Sequence, residues 1–255
     1  MYTNQPAPRL RSETRQLVIL PIGSCEQHGP YLPIDTDLRI AQLLAERLAQ
    51  SFTDTNTLLL PAIPFSCSWE HKGLGTLALN VSTLAAVIND IAHSLKTWRI
   101  PVLLILVNWH GGNDILAPLA TEITARESIP TAVIPAISQV GKAWEESHIT
   151  NAKDVHAGAV ETSVIQAYWP DLIAGPIPEI AHCEPAIAPA KTQAVMQALG
   201  THAVTKSGIW GAPEQIDAKK GESLITALTE AMHEQTARLL ELVNAQHYSG
   251  YEWEK

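Results

Sequence analysis

Residues 17–44 read LVILPIGSCEQHGPYLPIDTDLRIAQLL, an apolar run followed by a crowded polar segment and then a helical pattern. The run 17–22 is apolar without alternation, which is typical of a strand whose parallel sheet is covered on both faces. Glu26, His28 and Asp37 come after this run, although an ordinary turn needs only one Asp or Asn and a Gly. The end of this predicted strand therefore carries more potential ligands than a turn requires.

The same alternation of apolar runs and helical patterns continues along the chain. Further strands are predicted at 57–63, 102–108 and 131–137, and helices at 37–52, 82–98, 113–128 and 222–245. Strands that alternate with helices indicate an α/β sheet with right-handed crossovers. No segment has the composition of a domain linker, so we expect one domain over 1–255, with residues 1–16 as a flexible N-terminal segment.

Composition excludes several classes of function. The chain has 255 residues, 46% apolar and 17% charged, which is a globular profile. A net charge of −9 disfavours nucleic acid and anionic membrane surfaces as partners, because both require a basic face. We find no run of about 18 apolar residues and no signal-peptide pattern. Three cysteines are too few for a disulfide framework, so a cytoplasmic protein is expected.

The polar segments after two predicted strands have the residue types of a metal site. Ligands in open α/β sheets gather at the carboxyl ends of strands. Glu26 and His28 are two positions apart and project to the same side of an extended segment, and Asp37 in the next helix can fold back over them. His110, in NWHGGN, follows the strand at 102–108. Singly, each residue could be structural, as a hydrogen-bonded histidine or a helix cap.

Imidazole and carboxylate together suit Zn²⁺, Mn²⁺ or Fe²⁺ better than a calcium cage. One bridging carboxylate would hold two ions about 3.5–4 Å apart, the spacing used in metal-assisted hydrolysis. A third cluster, DVHAGAVETS at 154–163, places His156 and Glu161 around a small-residue turn. Alone, this third cluster would be interpreted as a helix cap and a carboxylate in the first turn of a helix.

Five blocks follow the order and rough spacing of the creatininase (creatinine amidohydrolase) family, which the chain resembles from about Leu17 to Gly221. The blocks are PIGSCEQHGPYLPIDTD, SWEHKGLGT, VNWHGGN, HAGAVETS and GIWGAPEQIDAKKGE. The resemblance implies a single-domain, three-layer α/β/α fold with a mostly parallel, Rossmann-like sheet. It also implies a dinuclear metal centre, a homohexamer, and hydrolysis of C–N bonds in cyclic or linear amides.

The resemblance assigns roles to residues that match the family motifs. Glu26, Asp37 and His110 would hold one metal ion, and His28 would hold the other together with a bridging Asp37. His156 matches the family histidine proposed to shuttle protons near the scissile bond. Two divalent ions per chain are expected, zinc before manganese or iron.

The chain departs from creatininase itself at two positions. Creatininase has N-G-H-Y-E-N, whose Glu ligates the second metal ion, and this chain has Gly112 at that position. We therefore expect Glu161 to complete the second site and to be a catalytic residue with His156. Creatininase also has His where this chain has Tyr31. The H-G-G-N form is closer to relatives that deformylate pyrimidine precursors or trim peptide precursors.

Several residues near these motifs are predicted to contact the substrate. Backbone N–H groups of two glycines could hold an anionic group, and a tryptophan could stack on a planar substrate. The predicted substrate-binding residues are Tyr31, Glu70, His71, Trp109, Gly111 and Gly112. Glu70 and His71 could equally be a surface pair on a loop.

The sequence therefore predicts a metal-dependent amidohydrolase that cleaves a C–N bond, other than a peptide bond, of a small cyclic or linear amide such as creatinine or a formamide. A non-catalytic metal-binding or scaffold protein is the alternative, because a fold does not guarantee activity. A dinucleotide-binding oxidoreductase is a weaker alternative. GLGTLA at 73–78 matches G-x-G-x-x-A, but no apolar strand precedes it.

Overall fold

The computed structural model describes residues 16–150, 154–179 and 192–245, and in them a four-stranded parallel sheet lies between helices. The strand order is β2–β1–β3–β4, with β1 at Gln16–Ile22, β2 at Thr57–Leu59, β3 at Val102–Asn108 and β4 at Thr131–Val133. The helices are α1 Thr36–Ser51, α2 Val81–Thr97, α3 Leu116–Glu127, α4 Ile137–Ser147, α5 Ala159–Tyr168, α6 Thr192–Leu199 and α7 Ala218–Ala245.

Apolar side chains of β1 alternate between two separate cores, one on each face of the sheet. Leu17 and Ile19 pack in the core that contains buried residues of α1, α5 and α7. Val18 and Leu20 pack in the core that contains those of α2 and α3. Both faces of the strand are therefore covered, which explains its continuous apolar sequence. The predicted α/β fold with three layers and a parallel sheet is confirmed.

The strand order reverses beside β1, and this reversal positions the candidate site. The chain passes from β1 to β2 on one side and then returns to β3 and β4 on the other side. β1 and β3 are paired in register from Gln16 with Val102 to Ile22 with Asn108. They therefore end side by side, and the crevice outside their carboxyl ends is where open α/β sheets bind ligands.

Gly23 allows the first turn of α1 to cross the end of β1 at very short range. A Cβ at this position would lie 2.3 Å from the Cα of Leu38 and 2.5 Å from its nitrogen. No real side chain fits there, so the helix lies directly against the strand end. This contact places Asp37, the neighbour of Leu38, over the residues that follow β1.

Two predicted strands are shorter than expected, and a proline accounts for each. The strand predicted at 57–63 ends at Leu59, and Pro61 has no N–H to continue the ladder. The strand predicted at 131–137 ends at Val133, two residues before Pro135. Backbone hydrogen bonds to the sheet continue past both strand ends, from Leu60 N to Ile19 O and Ile63 N to Pro21 O after β2, and from Ile134 N to Leu106 O after β4, each at 2.9 Å.

The long predicted helices are confirmed, with shifted ends. The helix predicted at 113–128 begins at Leu116, because Asn113 is hydrogen-bonded in the preceding loop, and the helix predicted at 222–245 begins at Ala218. Helices α4 and α6 were not predicted. Of the predicted N-terminal segment 1–16, residues 1–15 lie outside the described residues, and Gln16 is the first residue of β1. Among the described helices, none combines the length and hydropathy needed to cross a membrane.

We expect Gly23→Ala to destabilise the protein by about 3 kcal/mol, the upper range for overpacking, because its new Cβ meets backbone atoms that cannot move aside. For a chain of this length the melting temperature should fall by roughly 6–12 °C. Gly141→Ala is the matched control, since its Cβ meets no described atom within 4 Å and Ala favours the α4 helix. An unchanged melting temperature in Gly23→Ala would contradict the close crossing.

Candidate metal centre

The loop after β1 and the first turn of α1 bury ionisable side chains almost completely. Glu26 and His28 are fully buried, and Asp37 is 2% exposed. His110, in the loop after β3, is also buried and meets them across the end of the sheet. Burying charged groups is costly unless they are paired or bound to a cation, so the contacts within this cluster decide its chemistry.

One set of side chains consists of Glu26, Asp37 and His110. The His110 Nδ1 atom lies 3.3 Å from Glu26 Oε1 and 3.0 Å from Asp37 Oδ2. The His110 Nε2 atom lies 2.7 Å from the carbonyl oxygen of Cys67, which can only accept, so neutral His110 carries its hydrogen on Nε2. Its Nδ1 lone pair then faces two carboxylate oxygens.

A second set adjoins the first and shares Asp37. The His28 Nε2 atom lies 3.3 Å from Asp37 Oδ1 and 3.8 Å from Glu161 Oε2. His28 Nδ1 donates to the carbonyl oxygen of Glu26 at 3.1 Å, which leaves the Nε2 lone pair directed at the carboxylates. The two oxygens of Asp37 thus face two different imidazoles, as expected of a carboxylate that bridges two ions.

The cluster contains acceptors that lack donors. Glu26 Oε1 and Asp37 Oδ2 are buried, and within the described ranges they have no hydrogen-bond donor as long as the neighbouring His110 is neutral. Such oxygens are costly unless a cation balances them. The predicted ligands Glu26, His28, Asp37, His110 and Glu161 are all brought together, and a mixed nitrogen and oxygen donor set of this kind fits a divalent transition metal.

The pKa values in the cluster show how protons balance the charge when metal ions do not. Burial opposes charge on His28, but the facing carboxylates, first that of Asp37, raise the pKa of His28 to about 10. Burial also opposes charge on His110, yet Glu26 and Asp37 raise its pKa well above the ordinary value. Burial, partly offset by His28, raises the pKa of Glu161 to about 7. A metal ion must displace these protons in order to bind.

His71 and His156 are buried beside Glu26, a member of the first set. The His71 Nε2 and His156 Nδ1 atoms each lie 3.6 Å from Glu26 Oε1, and the two rings are 4.2 Å apart. Burial lowers the pKa of His71, and burial and the neighbouring His28 hold the pKa of His156 well below its ordinary value. Both imidazoles are therefore neutral near pH 7, in contrast to His28.

Tyr31 and Trp109, both predicted to contact the substrate, instead form hydrogen bonds with residues of the protein. The Tyr31 side chain is 1% exposed, and its hydroxyl hydrogen-bonds to the carbonyl oxygen of Ala157 and, at 2.8 Å, to Thr162 Oγ1. Trp109 is also buried and donates from Nε1 to Glu161 Oε1 at 3.2 Å. These side chains hold the loop before α5 and the carboxylate of Glu161 in place.

In the loop after β3, there is room for a side chain at position 111 and none at position 112. A Cβ on Gly111 would meet no described atom within 4 Å. A Cβ on Gly112 would lie 2.2 Å from the oxygen of Cys67, 2.3 Å from Glu70 Oε1 and 2.4 Å from His110 Nε2. No side chain fits at position 112, and the Glu70 carboxylate lies where a side chain from 112 would extend. The Glu70 side chain remains 22% exposed.

Several supporting residues were missed in the sequence. Asn113 accepts from the Cys67 backbone at 3.2 Å and donates to Asn108 Oδ1 at 2.8 Å, and Asn108 donates to the His110 carbonyl at 2.9 Å. Ser24 donates to Glu26 Oε2 at 2.8 Å. Both asparagines stand in NWHGGN, so the signal was present. Asparagine is not among the usual ligands of zinc, manganese or iron, so a search for metal ligands in this motif does not reveal its supporting role.

The GLGTLA segment at 73–78 does not form a dinucleotide-binding turn. Gly73 and Gly75 lie in a loop with positive φ angles of 152° and 88°. The segment follows a short 3-10 turn rather than a strand, and α2 begins only at Val81. The context that the motif needs is absent from this part of the structure.

The family model named Creatininase, described as creatinine amidohydrolase, matches residues 2–236. The mycofactocin precursor peptide peptidase of Mycolicibacterium smegmatis is 28% identical over 232 residues, which cover 87% of this chain and 85% of that protein. The creatinine amidohydrolase of Pseudomonas putida is 24% identical over 179 residues, 62% of this chain and 66% of that protein.

Solved creatininase structures share the fold. One of them, a creatinine amidohydrolase (creatininase), superimposes with a TM-score of 0.69 at 18% identity, and the match covers 88% of this chain and 90% of that chain. The solved creatininases with this fold include a Zn–Zn form of a mutant and a manganese form.

We expect the affinity for Zn²⁺ to rise with pH between about pH 6 and 8. The raised pKa values of His28 and His110 mean that the metal-stripped protein holds protons there, and a higher pH removes that competition. With two protons displaced, the logarithm of the affinity should rise by about one to two per pH unit. Competition with a chelator of known affinity measures this slope. A pH-independent affinity would contradict binding at these imidazoles.

Gly112→Ala should lose zinc, because its Cβ would press on the His110 ring and on the carbonyl oxygen that orients it. Gly111→Ala is the control at the adjacent position, where the added methyl group meets open space. Elemental analysis and thermal melting of both variants make the comparison. Equal zinc content in the two variants would show that the loop around His110 is less tightly packed than described.

Proposed function

The chain belongs to the creatininase family, and from that premise we propose that it is a metal-dependent amidohydrolase that cleaves an amide C–N bond. The observation that carries the proposal is the position of Asp37. Its two buried oxygens lie 3.3 Å from His28 Nε2 and 3.0 Å from His110 Nδ1, on the two sides of one carboxylate. This arrangement suits two divalent ions, which would replace the protons that otherwise balance the buried carboxylates on His28 and His110.

The proposed ligands divide into two sets. Glu26, Asp37 and His110 would hold one ion, and His28, Asp37 and Glu161 would hold the other. Zinc is the first choice of metal, with manganese or iron as alternatives, because imidazole and carboxylate ligands suit all three. Such ions, when bound, supply an acidified water and polarise a carbonyl group.

The side chains around the ions handle protons. Hydrolysis of an amide removes one proton from the attacking water and delivers one to the leaving nitrogen. His156 is the proposed carrier, since its neutral ring lies with Nδ1 3.6 Å from Glu26 Oε1 and 4.3 Å from the His28 ring, centroid to centroid. The Glu161 carboxylate accepts hydrogen bonds from the Trp109 side chain and from the Ala157 backbone N–H, and these bonds orient it toward His28.

The substrate class is proposed in two forms. A small cyclic or linear amide, such as creatinine or a formamide, follows from the family. A peptide bond is the second candidate, because the mycofactocin peptidase matches a larger share of this chain at higher identity than creatinine amidohydrolase does. The proposed reaction therefore includes the hydrolysis of peptide bonds. Glu70, His71 and Gly111 are the proposed substrate contacts.

We further propose one domain over 1–255 that assembles into a homo-oligomer, a hexamer by family resemblance, and acts in the cytoplasm on a small-molecule amide. The net charge of −9 supports a site without nucleic-acid partners. A metal-binding scaffold without activity is the competing function. Turnover of any amide by the zinc-loaded protein would separate the enzyme from the scaffold.

Asp37→Ala should lose both ions, whereas His156→Ala should keep them and lose turnover by about 100-fold or more, the usual contribution of a general acid–base group. Asp35→Ala is the control, since it removes a partly exposed carboxylate that pairs with Arg39. Elemental analysis gives metal per chain, and a panel of creatinine, formamides and short peptides gives turnover. Full activity in either of the first two variants would refute the proposed function.

A further inference from the structure

The Gln27 side chain lies between His71 and His156, and two backbone groups fix the orientation of its amide. Gln27 Oε1 accepts from the Gly29 N–H at 3.0 Å, and Gln27 Nε2 donates to the Gly208 carbonyl at 3.1 Å. A Cβ on Gly208 would lie 1.9 Å from Gln27 Oε1, so this approach requires glycine. Because an N–H only donates and a carbonyl only accepts, the amide cannot be flipped without breaking both contacts.

This orientation determines where His71 carries its proton. Gln27 Nε2 lies 2.8 Å from His71 Nδ1 and can only donate to it. Neutral His71 therefore carries its hydrogen on Nε2, the atom 3.6 Å from Glu26 Oε1. His71 presents an N–H group to the metal cluster, and an imidazole cannot ligate an ion through a nitrogen that keeps its hydrogen.

His156 has the opposite arrangement with respect to the cluster. Its Nε2 lies 2.8 Å from the backbone carbonyl oxygen of Gln27 and 3.2 Å from Gln27 Nε2. A carbonyl oxygen can only accept and the amide nitrogen has no lone pair to offer, so neutral His156 carries its hydrogen on Nε2 and donates it to the carbonyl. The Nδ1 atom, 3.6 Å from Glu26 Oε1, then carries a lone pair. One residue, Gln27, thus supplies the groups that leave a hydrogen on the His71 nitrogen and a lone pair on the His156 nitrogen, the two ring atoms that lie 3.6 Å from Glu26 Oε1.

We propose that Gln27 is a positioning residue that holds His71 as the hydrogen-bond donor to the substrate carbonyl oxygen, and that His71 is not a metal ligand. This inference rests on the proposed function. As water adds to the carbonyl carbon, its proton passes to His156 Nδ1 and then to the nitrogen whose bond to that carbon breaks. His71 keeps its proton throughout. Its hydrogen bond strengthens as negative charge develops on the former carbonyl oxygen.

The tautomers are measured directly in the zinc-loaded full-length protein labelled with ¹⁵N-histidine, with His71→Gln assigning the His71 signal. Long-range ¹⁵N–¹H correlation should show His71 protonated at Nε2 in the wild type. Gln27→Glu replaces the donor by a carboxylate that only accepts, so it should move the His71 proton to Nδ1. Wild-type His71 protonated at Nδ1, or a Gln27→Glu variant with an unchanged tautomer, would overturn the proposal.

Zinc content and kinetics test the assigned role. His71→Gln should keep wild-type zinc and lower kcat by about 100-fold, the loss typical of removing one donor to a developing oxyanion. Gln27→Glu should lower kcat similarly while keeping zinc, and the same exchange at the exposed Gln215 should change neither quantity. Loss of zinc in His71→Gln would make His71 a ligand, and unchanged kcat would deny it a role; either result overturns the inference.

The two proposals fail in different ways. A wild type that binds no zinc and turns over no amide would defeat the proposed function. The ¹⁵N measurement on that same protein would still decide whether Gln27 sets the His71 tautomer, since the hydrogen bonds that set it do not involve a metal ion.

Discussion

Asp37 lies between His28 and His110 and is 2% exposed. The rest of the structure serves to position these three side chains and to balance their charge. A buried carboxylate with an imidazole on each side is stable only if protons or cations balance its charge. The protein orients both rings so that lone pairs face the carboxylates. The carbonyl oxygens of Glu26 and Cys67 hold the hydrogens of these rings on the far side. The cluster is therefore arranged to bind a positive charge at these nitrogen atoms, either a proton or a metal ion.

The fold delivers these groups through three constraints that reinforce one another. Parallel pairing in register makes β1 and β3 end together, so the loops that carry Glu26 and His110 begin side by side. The reversal of strand order at β1 opens the crevice between them. Gly23 lets α1 cross this strand end closely enough for Asp37 to reach both histidines. Stability and function thus depend on the same few backbone contacts.

Periodicity in the sequence was sufficient for the sheet and the long helices, and ligand spacing singled out Glu26, His28, Asp37 and His110. Glu161 was predicted as a ligand only through the resemblance to the family. Short elements were less predictable, since Pro61 and Pro135 end strands whose apolar sequence continues past them. The sequence also does not predict whether a side chain in these motifs points into the site or away from it. Tyr31 and Trp109 lie within the site motifs, yet their side chains point inward and support α5 and Glu161. The role of Gln27 depends on contacts with residues far along the chain, which no local pattern reveals.

The central claim is that Asp37 bridges two ions, and anomalous diffraction from crystals of the zinc-loaded protein, collected across the zinc absorption edge, tests it most directly. We predict two peaks of comparable height on either side of the Asp37 carboxylate, about 3.5–4 Å apart, one next to His110 Nδ1 and the other next to His28 Nε2. A single peak, or peaks that do not contact Asp37, would contradict the account.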